Sequence, residues 1–512
     1  MPRFKPYSYN QMKLIPVQFK DQVLPGTFEY ALNYIVDNEL DLKIFEPRFA
    51  NNITGAPAFD PAILLKIILY AYSRGITSSR RIAQCCENNI IFKALSCDTM
   101  PHFTTIANFI TTMEKEISSL FRDVLLICTE MNLIGKTMFA IDGCKMPSNA
   151  SKEWSGTTKD FQKKKEKIEK TIEYIMNKHR TNDGNEQLSV TMKQEEIKHV
   201  ENLQKKAKKI QDWLKKNEEK IGKGGKPIKS NITDNESAKM KTSHGVIQGY
   251  NGVAAVDSKH QIIVHAEAFG AGQEHELLKP IIEGTQENFK AIEKTEEIFK
   301  EADITADSGF HTENNLKMLS EKGISAYIPD NKFRKRDSRF VTAERHKKEK
   351  KYQPKYFTAR EFQYNKETGK AICPAGKELW LKCKNNVTSN GFTGAAYMGR
   401  VADCKACGKR TKCLRNPETT LARQVVFLDG GRKVQEESFT KKMIKKIETI
   451  KGRFIYSKRM GTVEPVFANI RHTIGLDRFS LRSKIKVNTQ WLLYCIIHNL
   501  KKIHTFSPQM AY

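Results

Sequence analysis

KTMFAIDG, residues 136–143, is a short apolar run closed by Asp-Gly. An apolar stretch without polar alternation, stopped by a turn signal, describes a strand buried on both faces. Such a strand belongs to a sheet covered by helices, and its last side chain, Asp142, emerges at the sheet's edge. IFKEADITADSGF (298–310) repeats the pattern and ends in Asp307, with Ser308-Gly309 behind it. Between the two, HGVIQGYNGVAAVDSKHQIIVHAEAF (244–269) reads as an antiparallel hairpin turned at Asp257-Ser258-Lys259. EHELLKPIIEGTQENFKAIEKTEE (274–297) and NNLKMLSEKG (314–323) carry helical spacing, and ISAYIPD (324–330) is a further strand. Alternating strands and helices predict a mixed α/β core.

Upstream, from Asp60 to Leu133, apolar residues recur at three and four, as in PAILLKIILYAYSRG (61–75). Several helices are expected there, with Thr77, Ser78 and Ser79 as cap candidates for one and Thr104 and Thr105 starting another after Met100-Pro101. Short helices joined by tight breaks suit a helix-turn-helix-like DNA reader, and equally a plain bundle. After the first strand the chain turns Lys-rich. FQKKKEKIEKTIEYIMNKHR (161–180), a hinge at TNDGNEQLS (181–189) and VTMKQEEIKHVENLQKKAKKIQDWLKKNEEK (190–220) predict an inserted helical hairpin. Its basic face either stays solvated or lies along a DNA backbone. Residues 331–360 are basic and aperiodic, residues 361–430 hold short β-like pieces with cysteines, and helices return from Phe439. The final apolar run, TQWLLYCIIHNLKKI (489–503), is expected to dock on the core.

The chain has 512 residues, 86 Lys and Arg against 58 Asp and Glu, and a net charge of +28. Such an excess calls for a polyanionic partner, and nucleic acid fits better than a membrane, because the apolar runs fall short of the ~18 residues a span needs. No apolar run follows the basic opening MPRFKPYSYN, so no export signal and a cytoplasmic location are expected, with the 11 cysteines as thiols or metal ligands.

Metal-assisted phosphodiester cleavage needs carboxylates converging from different elements, since Mg²⁺ takes hard oxygen ligands. Asp142 and Asp307, at two strand ends, are candidates; alternatively each caps a turn. A third is Glu464 in RFIYSKRMGTVEPVFANIRHTIG (453–475), where Thr462 as cap and Pro465 in the first turn predict a helix start. Tyr456, Arg459 and Arg471 then gather with Glu464 around a phosphate-sized space, or the segment is an ordinary amphipathic helix.

The series FAIDG (139–143), GYNGVAAVD (249–257), ITADSGF (304–310) and YSKRMGTVEPVFANIR (456–471) resembles the DDE transposases of bacterial insertion sequences, in the branch with a Tyr-x2-Arg-x3-Glu-x6-Lys signature. The likeness covers nearly the whole chain. Its helical start resembles the InsH-type N-terminal domain, and the remainder resembles a split RNase H-like catalytic domain. The resemblance implies an α/β, RNase H-like core with a helical N-terminal domain and two insertions. The divisions are a DNA-binding domain (1–133), core (134–157), Lys-rich insertion (158–229), core (230–330), Cys-containing insertion (331–438) and a C-terminal helical part of the core (439–512).

It further implies Asp142, Asp307 and Glu464 as a catalytic triad binding Mg²⁺, with Mn²⁺ as substitute, and Tyr456 and Arg459 as contacts to phosphates at the element's ends. Two departures stand out. Four residues, not three, separate Arg459 from Glu464, and Arg471 replaces the signature Lys, keeping the charge but changing the fork geometry. The implied activity is cleavage at terminal inverted repeats of double-stranded DNA and strand transfer into target DNA, by a dimer on DNA and without a covalent protein–DNA intermediate. A DNA-binding protein of this fold without chemistry, and a structure-selective nuclease, are the alternatives.

Cys404-x2-Cys407, with Cys413 and Cys373, makes a Cys₄ set for a structural Zn²⁺, although Cys383 competes for the fourth place. Cys85, Cys86, Cys97, Cys128 and Cys495 read as core residues. Cys144 has no His placed in sequence to activate it. His244, His311 and His472 flank the core elements, and Trp154 either stacks on a base or packs.

Overall fold

A computed structural model of the protein describes residues 18–49, 51, 56–182, 190–222, 225–242, 245–293, 295, 297–340, 356–388, 392–432 and 438–507. His244 and residues 183–189 of the expected hinge lie outside them. The chain divides into two units, one of residues 1–330 with 443–512 and one of residues 331–442.

The first unit opens with helices. They are α1 (Phe28–Asn38), α2 (Pro61–Ser73), α3 (Ser79–Asn88), α4 (Ile90–Leu95), α5 (Phe103–Thr112) and α6 (Glu114–Glu130). Helix α2 begins as its sequence dictates: Asp60 accepts the Ala62 N–H and Pro61 takes the first turn. Ser78 holds the cap position of α3 without a side-chain bond. Helix α5 starts at Phe103, ahead of the expected Thr104, because the His102 ring accepts the Thr104 N–H.

Strand β1 (Met138–Pro147) follows, then the helical hairpin α7 (Thr158–Asn182) and α8 (Val190–Lys216). The hairpin's base is an apolar cluster of Phe161, Ile210 and Trp213 against which Trp154 packs. Lys164 and Lys209 place their ammonium groups 4.6 and 4.9 Å from the Trp154 ring centre. Trp154 is therefore a packing residue between two cations.

The sheet is completed by β2 (Ala238–Thr242), β3 (Gly245–Asp257), β4 (Ile263–Phe269), β5 (Asp303–Ala306) and β6 (Ser325–Tyr327), with α9 (Leu278–Glu293) before β5 and α10 (Glu313–Glu321) after it. Its order is β2-β3-β1-β5-β6, with β4 also paired to β3. β1 is antiparallel to β3 and parallel to β5, and β5 is parallel to β6. Met138, Phe139, Ala140 and Ile141 are all buried, as a two-faced strand requires. The hairpin turn is tied by Asp257, fully buried, which accepts the N–H groups of Gly135, Lys136 and Lys259.

In the second unit β7 (Gln363–Asn365), β8 (Lys370–Ile372), β9 (Glu378–Val387), β10 (Phe392–Met398) and β11 (Gln424–Arg432) form an antiparallel meander. Short helices at Val401–Lys405 and Arg410–Cys413 interrupt it. The meander's core holds Phe362, Ala371, Leu379, Ala395, Tyr397 and Val425.

Helices α11 (Phe439–Glu448) and α12 (Ile450–Ala468) come next, then a π-helical turn at Asn469–Thr473 and α13 (Lys484–Phe506). Helix α13 buries an unbroken run from Thr489 to Leu500, covering every side of the helix, so it threads the interior of the first unit. Its Tyr494 stacks on Tyr72 of α2, and its Asn499 bonds both the N–H and the carbonyl of Ile263 in β4. No helix among the described residues is long and apolar enough to cross a membrane.

Candidate functional site

β1 and β5 run parallel with Ile141 opposite Ala306, so Asp142, next in β1, and Asp307, which follows β5 and caps the turn Ser308–Phe310, come side by side at the strand ends. Each carboxylate accepts the N–H of the next residue, Gly143 at 2.9 Å and Ser308 at 2.7 Å. Capping and convergence are thus realised together. Burial pushes Asp142 up to about 6, against the pull of Arg459 and the Gly143 N–H; Asp307 and Glu274 add to the rise.

Helix α12 lies against β1 and β5 and supplies the guanidinium. Arg459 is buried and its Nη2 stands 2.6 Å from Asp142 Oδ2. Tyr456 lies one turn earlier on the same face of α12. Arg471 projects from the π turn to Cys144, two residues beyond Asp142 and on the same face of β1. Burial raises the Cys144 thiol despite Arg471, which leaves no thiolate nucleophile there. The Nε–H groups of Arg459 and Arg471 have no partner although both are buried. Donors of this kind suit oxyanions.

The expected helix start at Thr462 is corrected. Thr449 caps α12, its hydroxyl accepting the Gly452 N–H, and the helix runs unbroken through Glu464 and Pro465. Pro465 cannot donate to the Gly461 carbonyl four residues back. The Gln261 amide, from the β3–β4 turn, donates to that carbonyl instead at 2.9 Å. Glu464 consequently sits mid-helix, exposed, five residues and about 140° around the helix from Arg459.

A carboxylate that the sequence pattern did not single out stands nearer. Glu274, in the loop before α9, receives the Asn251 amide at 3.2 Å, lies 3.7 Å from Lys145, and packs against Gly309, where a Cβ would fall 2.3 Å from its Oε2. Its only sequence signal was its place between a strand and a helix that flank Asp307. Asn251 is fully buried and its Oδ1 has no partner. Lys145 and Asn251 are cross-strand partners on the face of the sheet opposite Asp142, so the site straddles the sheet's end. His275 bonds the Gly309 carbonyl, His311 bonds that of Ile328, and His472 is exposed.

The carboxylates of Asp142, Asp307 and Glu274 are the hard oxygen donors that suit a divalent cation, although Arg459 and Lys145 now hold two of them. Among the described residues, however, no three His, Cys, Asp or Glu side chains are gathered closely enough to hold an ion as they stand. In the second unit Cys373, Cys404, Cys407 and Cys413 line one cavity of about 40 Å³, whereas Cys383 is exposed and outside it. Cys86, Cys128 and Cys495 are buried as expected, Cys85 is half-buried, and Cys97 is exposed, at a positive φ of 49°.

Two family models match the chain. Residues 17–112 match a model described as a transposase domain, and residues 372–504 match one described as a transposase DDE domain. The second match contains Tyr456, Arg459, Glu464 and Arg471, and Asp142 and Asp307 lie upstream of it. A search of curated proteins found no match.

Proposed function

Because the chain is an insertion-sequence DDE transposase, we propose that it binds the terminal inverted repeats of its element, cuts the DNA there and joins the freed 3′-hydroxyl to target DNA. The observation that carries the reading is the pair Asp142 and Asp307 brought together by the adjacent parallel strands β1 and β5, with Arg459 against the first of them. Strand order β2-β3-β1-β5-β6 with β3 antiparallel supports an RNase H-like core, and the helices of residues 1–133 are its DNA-binding domain in this reading.

Asp142 and Asp307 would hold Mg²⁺, or Mn²⁺ in its place, and Glu464, exposed on α12 as the helix stands, would join them only by a turn of that helix toward the pair. When bound, the metal supplies a Lewis acid at phosphorus and a lowered pKa for the attacking oxygen. The chain's own residues do the rest. Arg459 neutralises Asp142 until a ligand arrives and then presents its unpaired Nε–H to a phosphate oxygen. Arg471 does the same from the π turn, and Tyr456 lies one turn from Arg459. Guanidinium groups stay charged, so these residues position phosphates and move no protons. Synapsis of two ends calls for at least two copies on DNA.

The test is cleavage of DNA carrying the element's own ends, with Mg²⁺ or Mn²⁺, by wild type and by Asp307→Asn. Cutting at a defined position that leaves a 3′-hydroxyl, abolished in the variant while DNA binding persists, is the expected result. Binding without cleavage by both proteins would leave a DNA-binding protein of this fold, and cleavage indifferent to the terminal repeats would make it a structure-selective nuclease.

A further inference from the structure

The second unit spans 112 residues, and among its described residues the core cluster holds six buried side chains, two of them alanine. Cores that small rarely hold a fold unaided, and disulfides or a metal commonly supply the missing stability. Four cysteines surround one cavity beside that core, drawn from three places in the chain: the β8–β9 turn, the helix Val401–Lys405 with the loop after it, and the helix Arg410–Cys413.

The backbone around them is shaped to the sulfurs. Cys373 sits in a tight turn where the Gly376 N–H bonds the Cys373 carbonyl at 2.8 Å and the Lys377 N–H points at the Cys373 sulfur at 3.4 Å. Gly376 has φ +77°, which a residue with a side chain rarely adopts, and this lets the chain fold back over the sulfur. Gly399 leaves room for the Cys404 sulfur, since a Cβ there would stand 2.7 Å from it. Arg410 bonds the carbonyls of Cys404, Pro417 and Thr420, fixing the loop that separates Cys404 from Cys413. Burial raises the Cys413 thiol against the pull of Arg423, and Cys404, Cys407 and Cys373 stand close enough to add to the rise; the buried Nε–H of Arg423 has no partner. Cys373 and Cys413 also pack on the core cluster, so whatever joins the thiols joins the meander to the helices.

We propose that Cys373, Cys404, Cys407 and Cys413 bind a structural Zn²⁺ that staples the second unit, and that Cys383 takes no part. The cavity of about 40 Å³ suits one ion. As the thiols stand, no three of them among the described residues are gathered closely enough to hold an ion, and closing to the ~2.3 Å of Zn–S bonds requires each thiol to give up its proton. Zinc here folds the unit and takes no part in DNA cleavage, so this inference stands or falls apart from the catalytic reading.

The experiment measures zinc by elemental analysis in the purified full chain, for wild type, Cys373→Ser, Cys413→Ser and Cys383→Ser, with Co²⁺ exchanged into wild type. One zinc per chain in wild type and Cys383→Ser, its loss in the other two, and a cobalt spectrum typical of four thiolates are expected. Should the serine variants fail to fold, wild type answers alone: chelation should open residues 331–442 to protease while the rest of the chain resists. Zinc-free wild type purified from zinc-supplemented cells overturns the proposal, as does a mass showing disulfides among these cysteines or zinc retained in Cys413→Ser.

Discussion

Asp142 carries opposing demands in one side chain. Burial and the like charges of Asp307 and Glu274 raise it to about 6, while Arg459 at 2.6 Å favours ionisation. Because the folded value lies above the unfolded one, the proton adds stability that is complete below the ordinary carboxylate value and lost as pH rises through about 6. A divalent cation reverses the preference, since it binds only the ionised form. The rise in melting temperature on adding Mn²⁺ should therefore be nearly absent at pH 5 and grow through about 6. In Glu274→Gln one of the charges opposing ionisation is gone, so the onset should move to lower pH. Thermal scans with and without Mn²⁺ across this range check it, and an onset that stays put would show that Glu274 does not act on Asp142.

Helix α12 shows which parts of such a site are legible in sequence. Asp142 and Asp307 could be read because a buried strand ending in Asp-Gly or Asp-Ser-Gly is a local pattern, and their pairing follows from a parallel sheet. Glu464 was placed at a helix start because Pro465 normally stays out of helix interiors. What allows it is the Gln261 amide, two hundred residues away in sequence, reaching the Gly461 carbonyl. Glu274 and the Arg459–Asp142 pair were invisible for the same reason, since both depend on contacts across the sheet. The helix-level prediction is that Gln261→Ala, which strands the Gly461 carbonyl, costs about 1 kcal/mol of stability. Adding Pro465→Ala should recover most of that loss, because the new N–H can bond Gly461 directly. Denaturant unfolding of the two single variants and the double variant measures the coupling; simple additivity would show that Gln261 does not replace the bond that proline lacks.

At the scale of the whole molecule, charge and chemistry are separated. Residues 331–442 hold 28 Lys and Arg against 11 Asp and Glu, a net +17 of the chain's +28, whereas both strand-end aspartates lie in the other unit. A positive excess of this size in a segment without the paired aspartates suits sequence-independent hold on the DNA backbone, in which each neutralised phosphate adds about 0.9 to the slope of log affinity against log salt. Replacing Lys366, Lys384 and Lys405 by Gln, all three exposed and outside the cysteine set, should weaken binding to any duplex alike and flatten that slope by about 1 to 3. Asp307→Asn should leave the slope as it is, because a carboxylate neutralises no phosphate and so displaces no condensed counterion. Titrations of terminal-repeat and unrelated DNA over a range of KCl decide it. An unchanged slope in the triple variant would move the backbone contact elsewhere, to the Lys-rich hairpin of α7 and α8 first. A loss confined to terminal-repeat DNA would instead make these lysines readers of sequence.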